Sequence, residues 1–224
     1  MKLYEMRHIK GHLILDTGKT LWVLDTGAPS SFGSVDKLEI NDRTYEVKSN
    51  YMGFDNEQLS DAIGEKVEGL IGGDILNNFE SYWNLSSGTI SFSRGNIENK
   101  GDIISIDFIM GVPILEINLR GISQNWFFDT GAVISYVAEQ NQAWEVAVDE
   151  HDDFYPGYGK FNTEVFEDEI TLGELTMKIK CGVLPSLLGM SLAVAGCTGI
   201  LGLNALDQKS FIYAPRRKKL ILNV

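Results

Sequence analysis

The chain has 224 residues, enough to bury a sizeable core, and its 44% hydrophobic and 22% charged residues are typical of a globular protein. The formal net charge of −12 argues against nucleic acid and anionic membranes as partners, because both attract basic surfaces. No apolar run approaches the length of a membrane span, and the first residues lack the apolar core of a signal peptide, so we expect a cytoplasmic protein.

The composition offers little support for a metal site or a disulfide framework. The cysteines are Cys181 and Cys197, and the histidines His8, His12 and His151 are dispersed along the chain. Two cysteines make no disulfide framework, and a structural zinc ion needs four ligands. We therefore expect two free thiols, no metal and no cofactor.

In chain order, the first half predicts short strands separated by turns rich in Gly, Asn and Asp. The predicted elements are a hairpin over residues 12–24, a helix from Asn56 to Ile63 closed by Gly64, a helical turn from Gly73 through Phe79, and a hairpin from Ser81 to Phe92. The first hairpin ends in the apolar run Leu21-Trp22-Val23-Leu24, which places Asp25 where a buried strand stops.

The second half repeats this order. The phrase Asp25-Thr26-Gly27-Ala28 recurs 104 positions later (129 − 25) as Asp129-Thr130-Gly131-Ala132, again after an apolar run. The other matched segments are Leu38–Val47 with Ile170–Ile179, Gly69–Gly72 with Gly199–Gly202, and Ser81–Phe92 with Phe211–Leu222. Two carboxylates at equivalent places can meet across an internal pseudo-twofold axis and share a proton as an acid–base pair.

The repeat predicts a mainly β chain in two lobes. The boundary is expected within residues 94–101, which are polar, contain glycine and lack apolar alternation. The predicted lobes are therefore residues 1–97, with the first Asp-Thr-Gly, and residues 98–224, with the second. A third Asp-Thr-Gly begins at Asp16, but it falls at a hairpin bend, where Asp and Gly are favoured for backbone reasons alone.

The duplicated motifs resemble the aspartic peptidase family, in both its pepsin-like and retropepsin-like branches. In that family each Asp-Thr-Gly loop is braced by a later apolar-apolar-Gly segment, which here is Leu70-Ile71-Gly72 in the first half and Ile200-Leu201-Gly202 in the second. The resemblance covers nearly the whole chain. It implies a two-lobed β-barrel fold with an internal pseudo-twofold repeat, and hydrolysis by a water molecule activated between Asp25 and Asp129.

The resemblance also implies roles for the neighbours of the two aspartates. Gly27 and Gly131 allow the backbone to bend sharply beside the carboxylates. Thr26 and Thr130 are expected to form hydrogen bonds across the lobe interface and so fix the two loops relative to each other.

The alanines that follow the two glycines suggest an unusual pH dependence. Ala28 and Ala132 stand where many relatives that act in acid have Ser or Thr, whose hydroxyl can donate to the carboxylate. Without that donor the pKa values of the pair should be higher, so we expect an activity optimum closer to neutral.

The halves differ by an insertion in the second one. Asp25 to Ile40 spans 15 positions and Asp129 to Leu172 spans 43, which leaves about 28 extra residues, roughly Ala143 to Glu169. The insert predicts an aromatic hairpin around a Pro-Gly turn and resembles the family's flap, with Tyr158-Gly159 at its tip and Tyr155 as the second candidate. The first half lacks room for a flap, so we expect a single flap, from the second half. The alternative is a surface excursion without a function.

The resulting hypothesis is a monomeric aspartic endopeptidase acting on a peptide or protein substrate, since one chain supplies both aspartates. Two alternatives remain open: a catalytically silent peptide-binding protein on the same scaffold, and a processing or regulatory peptidase of narrow specificity. The acidic stretch Asp149–Asp153 is interpreted as a solvated loop, and an acidic subsite for basic side chains is the less favoured interpretation. The basic run Arg216–Lys219 is interpreted as a solvated turn.

Overall fold

A computed structural model describes residues 2–138, 144, 146–206 and 209–223. Strands account for 54% of the structure and helices for 13%, so the predicted mainly β class is confirmed. The first half contains the strands β1 (Lys2–Ile9), β2 (His12–Asp16), β3 (Leu21–Leu24), β4 (Phe32–Gly33), β5 (Lys37–Ile40), β6 (Arg43–Glu46), β7 (Asn50–Tyr51), β8 (Phe54–Asp55), β9 (Gly69–Ile71), β10 (Glu80–Asn84) and β11 (Thr89–Ser93).

The second half continues with longer strands. They are β12 (Asp102–Ile109), β13 (Val112–Leu119), β14 (Ile122–Phe128), β15 (Ser135–Ala138), β16 (Asp149–Tyr155), β17 (Gly159–Leu172), β18 (Leu175–Leu184), β19 (Gly199–Leu201), β20 (Ser210–Ala214) and β21 (Lys219–Leu222). The helices are α1 (Asn56–Ile63), α2 (Gly73–Leu76) and α3 (Ser186–Val194), with 3-10 turns at Leu203–Leu206 and Pro215–Arg217. No described helix is long and apolar enough to cross a membrane.

The strand pairing is duplicated as the sequence is. In the first half β3 pairs in parallel with β9, which places Trp22 opposite Gly69, and β4 pairs with β9 in antiparallel fashion. In the second half β14 pairs in parallel with β19, which places Trp126 opposite Gly199, and β15 lies antiparallel to β19. Each aspartate therefore follows a strand that is held by the later glycine-bearing strand of its own half.

A six-stranded arrangement joins the two halves. Its order is β1–β11–β10–β20–β21–β12, so each strand of the first half is matched by its repeat in the second. Among the described strands, β10 with β20 is the pairing that crosses between the halves, and it sets Trp83 opposite Phe211. These two rings stack at 5.2 Å within the main hydrophobic core.

One of the three described helices has the bounds that the sequence predicts, one is shorter, and one is not predicted. The predicted helix α1 has the expected bounds; the Asp55 side chain caps its first turn and Gly64, with φ 77°, ends it. The turn predicted from Gly73 through Phe79 is shorter and ends at Leu76. Helix α3 was not predicted, because its residues are apolar on every side and give no amphipathic period.

Candidate active site

Equivalent backbone hydrogen bonds hold the two aspartates. The Asp25 N–H donates to the carbonyl oxygen of Ile71 at 3.0 Å, and the Asp129 N–H donates to that of Leu201, also at 3.0 Å. These bonds extend the parallel pairs β3–β9 and β14–β19 by one residue. Each aspartate is therefore fixed at the end of a hydrogen-bonded strand and does not lie in a free loop.

Reciprocal threonine contacts join the two aspartate loops. The Thr26 hydroxyl donates to the carbonyl oxygen of Phe128 at 2.9 Å and accepts from the Thr130 N–H at 3.0 Å. The Thr130 hydroxyl donates to the carbonyl oxygen of Leu24 at 2.9 Å and accepts from the Thr26 N–H at 3.0 Å. Both threonines are fully buried, so these four bonds are shielded from water and fix the two loops in one geometry.

The carboxyl groups of Asp25 and Asp129 meet in a side-chain hydrogen bond. The Ala28 N–H donates to Asp25 at 2.8 Å, and the N–H groups of Gly131 and Ala132 donate to Asp129 at 2.7 and 3.3 Å. Backbone N–H groups therefore fix the orientation of both carboxyl groups. Because the two groups contact each other, they can share one proton.

Glycine is required at the third position of each motif by the carboxylate of the other. A Cβ atom on Gly27 would overlap the carboxyl group of Asp129, and one on Gly131 would overlap that of Asp25. The close approach of the two loops thus depends on two residues without side chains.

The environment raises the pKa of both aspartates. Burial is the largest cause for each of them. The negative charge of Asp129 adds to the effect on Asp25, whose pKa is raised well above its ordinary value, whereas donated hydrogen bonds partly offset the effect on Asp129. The two carboxyl groups therefore titrate as a pair that holds a shared proton to higher pH than an isolated aspartate would.

The glycines of the two brace segments contact the residues that follow each motif. A Cβ atom on Gly72 would lie 2.6 Å from the carbonyl oxygen of Ala28, and one on Gly202 would lie 2.9 Å from that of Ala132. These carbonyls accept hydrogen bonds from the N–H of Gly73 at 2.8 Å and of Leu203 at 2.9 Å. The braces therefore hold the loops by backbone contacts that leave no space for a side chain.

Two serines belong to the same framework and were missed in the sequence. The Ser31 hydroxyl accepts from the Gly72 N–H at 2.9 Å, and the Ser135 hydroxyl accepts from the Gly202 N–H at 3.1 Å. The two serines also donate to Asp74 and Asn204, respectively. A signal was present, because each serine lies six positions after its aspartate (31 − 25 and 135 − 129).

Two hairpins enclose the cavity that the aspartates line. The longer is β16–β17, the predicted insert, of which Ala143 and Glu145 lie outside the described residues. The shorter is β7–β8 of the first half. Phe54 and Phe154 stack at 5.2 Å between the hairpins, and a Cβ atom on Gly157 would lie 3.1 Å from the Met52 side chain. The first half thus also brings a hairpin to the cavity, and the sequence did not indicate it because strands of two residues each are too short to produce a visible alternation.

The tyrosines of the long hairpin differ in their placement. Tyr155 lines the cavity, and burial together with nearby Tyr51 and the two aspartates raises its pKa. Tyr158 instead packs its ring edge-on against Phe161 at 6.1 Å and is not among the cavity-lining residues. Gly159, with φ 101°, pairs with Tyr155 just after the turn. Of the two candidate tyrosines, Tyr155 is thus the one that lines the cavity.

Asp153, Tyr136 and His12 also line the cavity, and none of them was singled out from the sequence as a site residue. The acidic stretch was expected to be solvated, and Asp149, Glu150 and Asp152 are indeed exposed, but Asp153 is only partly exposed and accepts a hydrogen bond from the Tyr136 hydroxyl. Within the described part of the chain, no group of three or more His, Cys, Asp or Glu could hold a metal ion.

Comparisons with known proteins add little. No protein-family model matches the chain. No curated protein matches it either. Among solved structures it is similar to the foamy viral protease-reverse transcriptase in complex with an RNA/DNA hybrid, at 15% sequence identity and a TM-score of 0.33. The alignment covers 42% of this chain and 11% of that one.

Proposed function

We propose that the chain is an aspartic endopeptidase. One observation carries the proposal: two aspartates 104 positions apart (129 − 25) meet in a hydrogen bond on loops that four buried threonine bonds join. A structural role alone gives no reason to bring two carboxyl groups together at the wall of a cavity, since their mutual repulsion and burial cost stability.

In the proposed reaction one aspartate of the pair carries the shared proton and the other is ionised. A water molecule between them loses a proton to the ionised aspartate as its oxygen attacks the carbonyl carbon of the peptide. The protonated aspartate gives its proton to the carbonyl oxygen. The tetrahedral intermediate then collapses as the aspartate that took the water proton passes it to the leaving nitrogen and a hydroxyl of the intermediate returns a proton to the other aspartate. No covalent enzyme intermediate and no cofactor is involved.

The cavity suits a peptide that binds in an extended conformation. Its lining is largely apolar, with Phe32, Leu70 and Ile200 beside the aspartates. The hairpins β7–β8 and β16–β17 cover the substrate and exclude water from the reacting bond. Because one chain supplies both aspartates, a monomer is sufficient for activity. The proposed substrate is a peptide or protein segment, and the proposed location is the cytoplasm.

The test is cleavage of a mixed peptide library by the wild-type chain and by two matched variants. Asp25→Asn should reduce cleavage to background, whereas Asp16→Asn, in the Asp-Thr-Gly of the hairpin bend, should retain it. A statine-type inhibitor such as pepstatin should block the wild type. Peptide binding without cleavage would instead favour a silent binding protein, and cleavage of a single cellular protein but not of the library would favour a peptidase of narrow specificity.

A further inference from the structure

Asp153 is a third carboxylate in the wall of the proposed catalytic cavity. The aspartic acid and histidine residues lining that cavity are Asp25, Asp129, Asp153 and His12. Asp153 lies close enough to Asp129 for its charge to contribute to the raised pKa of that residue. The reaction proposed above uses the first two aspartates and leaves Asp153 without a role.

The carboxylate of Asp153 is held in place but not neutralised. One oxygen accepts from the buried Tyr136 hydroxyl, and the other accepts from the Phe154 N–H at 2.7 Å. Across the described residues, Asp153 forms no ion pair with a Lys, Arg or His side chain. Two neutral donors leave free lone pairs on a charged group in a largely apolar cavity.

His12 does not supply the missing positive charge. Its Nδ1 lies 3.1 Å from the carbonyl oxygen of Gly131, and burial lowers its pKa, so the imidazole is neutral at pH 7. The nearby cation Lys10 is exposed, and its Nζ lies against Gly64 instead of lining the cavity. The negative charge of Asp153 is therefore open to a ligand.

Equivalent positions of the two halves carry different residues on the two sides of the aspartate pair. His12 follows Ile9-Lys10-Gly11, and the matching segment Ile109-Met110-Gly111 is followed by Val112. Val112 lines an adjoining pocket together with Ile109, Phe127, Leu188 and Leu192. In the described lining of that pocket Asp129 is the charged side chain. One side of the aspartate pair is thus acidic and the other apolar.

We propose that Asp153 is a specificity-determining residue that binds a Lys or Arg side chain of the substrate close to the cleaved bond, with an apolar substrate residue on the opposite side. The inference rests on the proposed peptidase function. A guanidinium or ammonium group supplies the charge-assisted donors that the fixed carboxylate lacks, and burial in an apolar cavity strengthens the pairing.

The test compares two otherwise identical fluorogenic peptides, one with arginine and one with citrulline, which has nearly the same shape but no charge. The wild type should prefer the arginine peptide about tenfold or more in kcat/KM. Asp153→Asn keeps an acceptor for Tyr136 and should bring the ratio toward one. Asp152→Asn removes the same charge from the neighbouring exposed position and should leave the ratio unchanged.

A binding measurement separates failure of this inference from failure of the proposed function. The same two peptides are titrated against Asp25→Asn, which is expected to bind without cleaving. Tighter binding of the arginine peptide supports the role of Asp153 even if the wild type cleaves neither peptide, whereas equal binding, or no binding, overturns it. Cleavage without a charge preference leaves the peptidase assignment intact and overturns the inference alone.

Discussion

The residues that follow the two Asp-Thr-Gly motifs determine how strongly each carboxylate is held. Ala28 and Ala132 give backbone N–H groups to Asp25 and Asp129 but have no hydroxyl to add. Each further donated bond would favour the ionised form and lower the pKa. Burial raises the pKa of both aspartates, and the two alanines add no hydroxyl donor that would lower the pKa values again.

Ala28→Ser should therefore move the activity profile toward acid. The new hydroxyl would lie next to an N–H that already contacts Asp25 at 2.8 Å, and one charge-assisted bond corresponds to a shift of about one pH unit in the limbs of the profile. The measurement is kcat/KM against pH for both enzymes, with Ala62→Ser in α1 as the control. A wild-type optimum below about pH 4, or an unchanged profile in Ala28→Ser, would contradict the argument.

Asp25→Asn should make the protein more stable at neutral pH. The folded-state pKa of Asp25 lies above its unfolded value, so its stabilising contribution is complete below the unfolded pKa and is lost as the pH rises through the folded pKa. Each pKa unit of that displacement is about 1.4 kcal/mol, and the amide variant escapes this cost.

Urea unfolding at pH 4 and pH 7 measures the effect, with exposed Asp61→Asn as the control. The stability gain of Asp25→Asn over the wild type should be larger at pH 7 than at pH 4. If the stability gain is the same at pH 4 and pH 7, or if Asp61→Asn gives the same gain as Asp25→Asn, the raised pKa of the carboxyl pair does not cause the gain.

At the scale of elements, the sequence predicts what a local signal determines. The hairpins β2–β3 and β13–β14, which precede the two aspartates, and helix α1 follow from alternation, turn residues and a capping pattern. The hairpin β7–β8 and helix α3 have no such pattern, since the first is too short and the second has apolar residues all around its axis. The orientation of Asp153 and Tyr155 into the cavity depends on how β16 pairs with β17, which local spacing does not reveal.

The two tyrosines of the long hairpin offer a direct test of that orientation. Tyr155→Ala should lower kcat/KM about tenfold, because the side chain lines the same cavity as the aspartates and its contacts with a bound substrate would be lost. Tyr158→Ala should change kcat/KM less than about twofold, because its ring packs on Phe161 within the hairpin. A larger loss in Tyr158→Ala would restore the assignment made from the Tyr-Gly motif.

At the scale of the whole molecule, the site depends on how firmly the halves are joined. Besides the pairing of β10 with β20, a buried ion pair crosses the junction. Arg217, from the turn between β20 and β21, donates two hydrogen bonds of 2.7 Å to Glu80 in β10, whose side chain is fully buried. Arg217 also donates to the carbonyl oxygen of Ile97 at 3.1 Å. The basic turn that the sequence presented as solvated thus includes one structural arginine.

Arg217→Met should destabilise the protein by about 3–5 kcal/mol, because it leaves the carboxylate of Glu80 buried without its cation. Arg216→Met removes the same charge from the neighbouring exposed position and should cost less than about 0.5 kcal/mol. Urea unfolding followed by tryptophan fluorescence measures both, since Trp83 lies in β10 and Trp126 in the second half. A single transition shifted to lower urea is the expected result, because the pair supports the sheet that both halves share. Equal effects of the two variants, or unfolding of one half alone, would show that the junction does not depend on this pair.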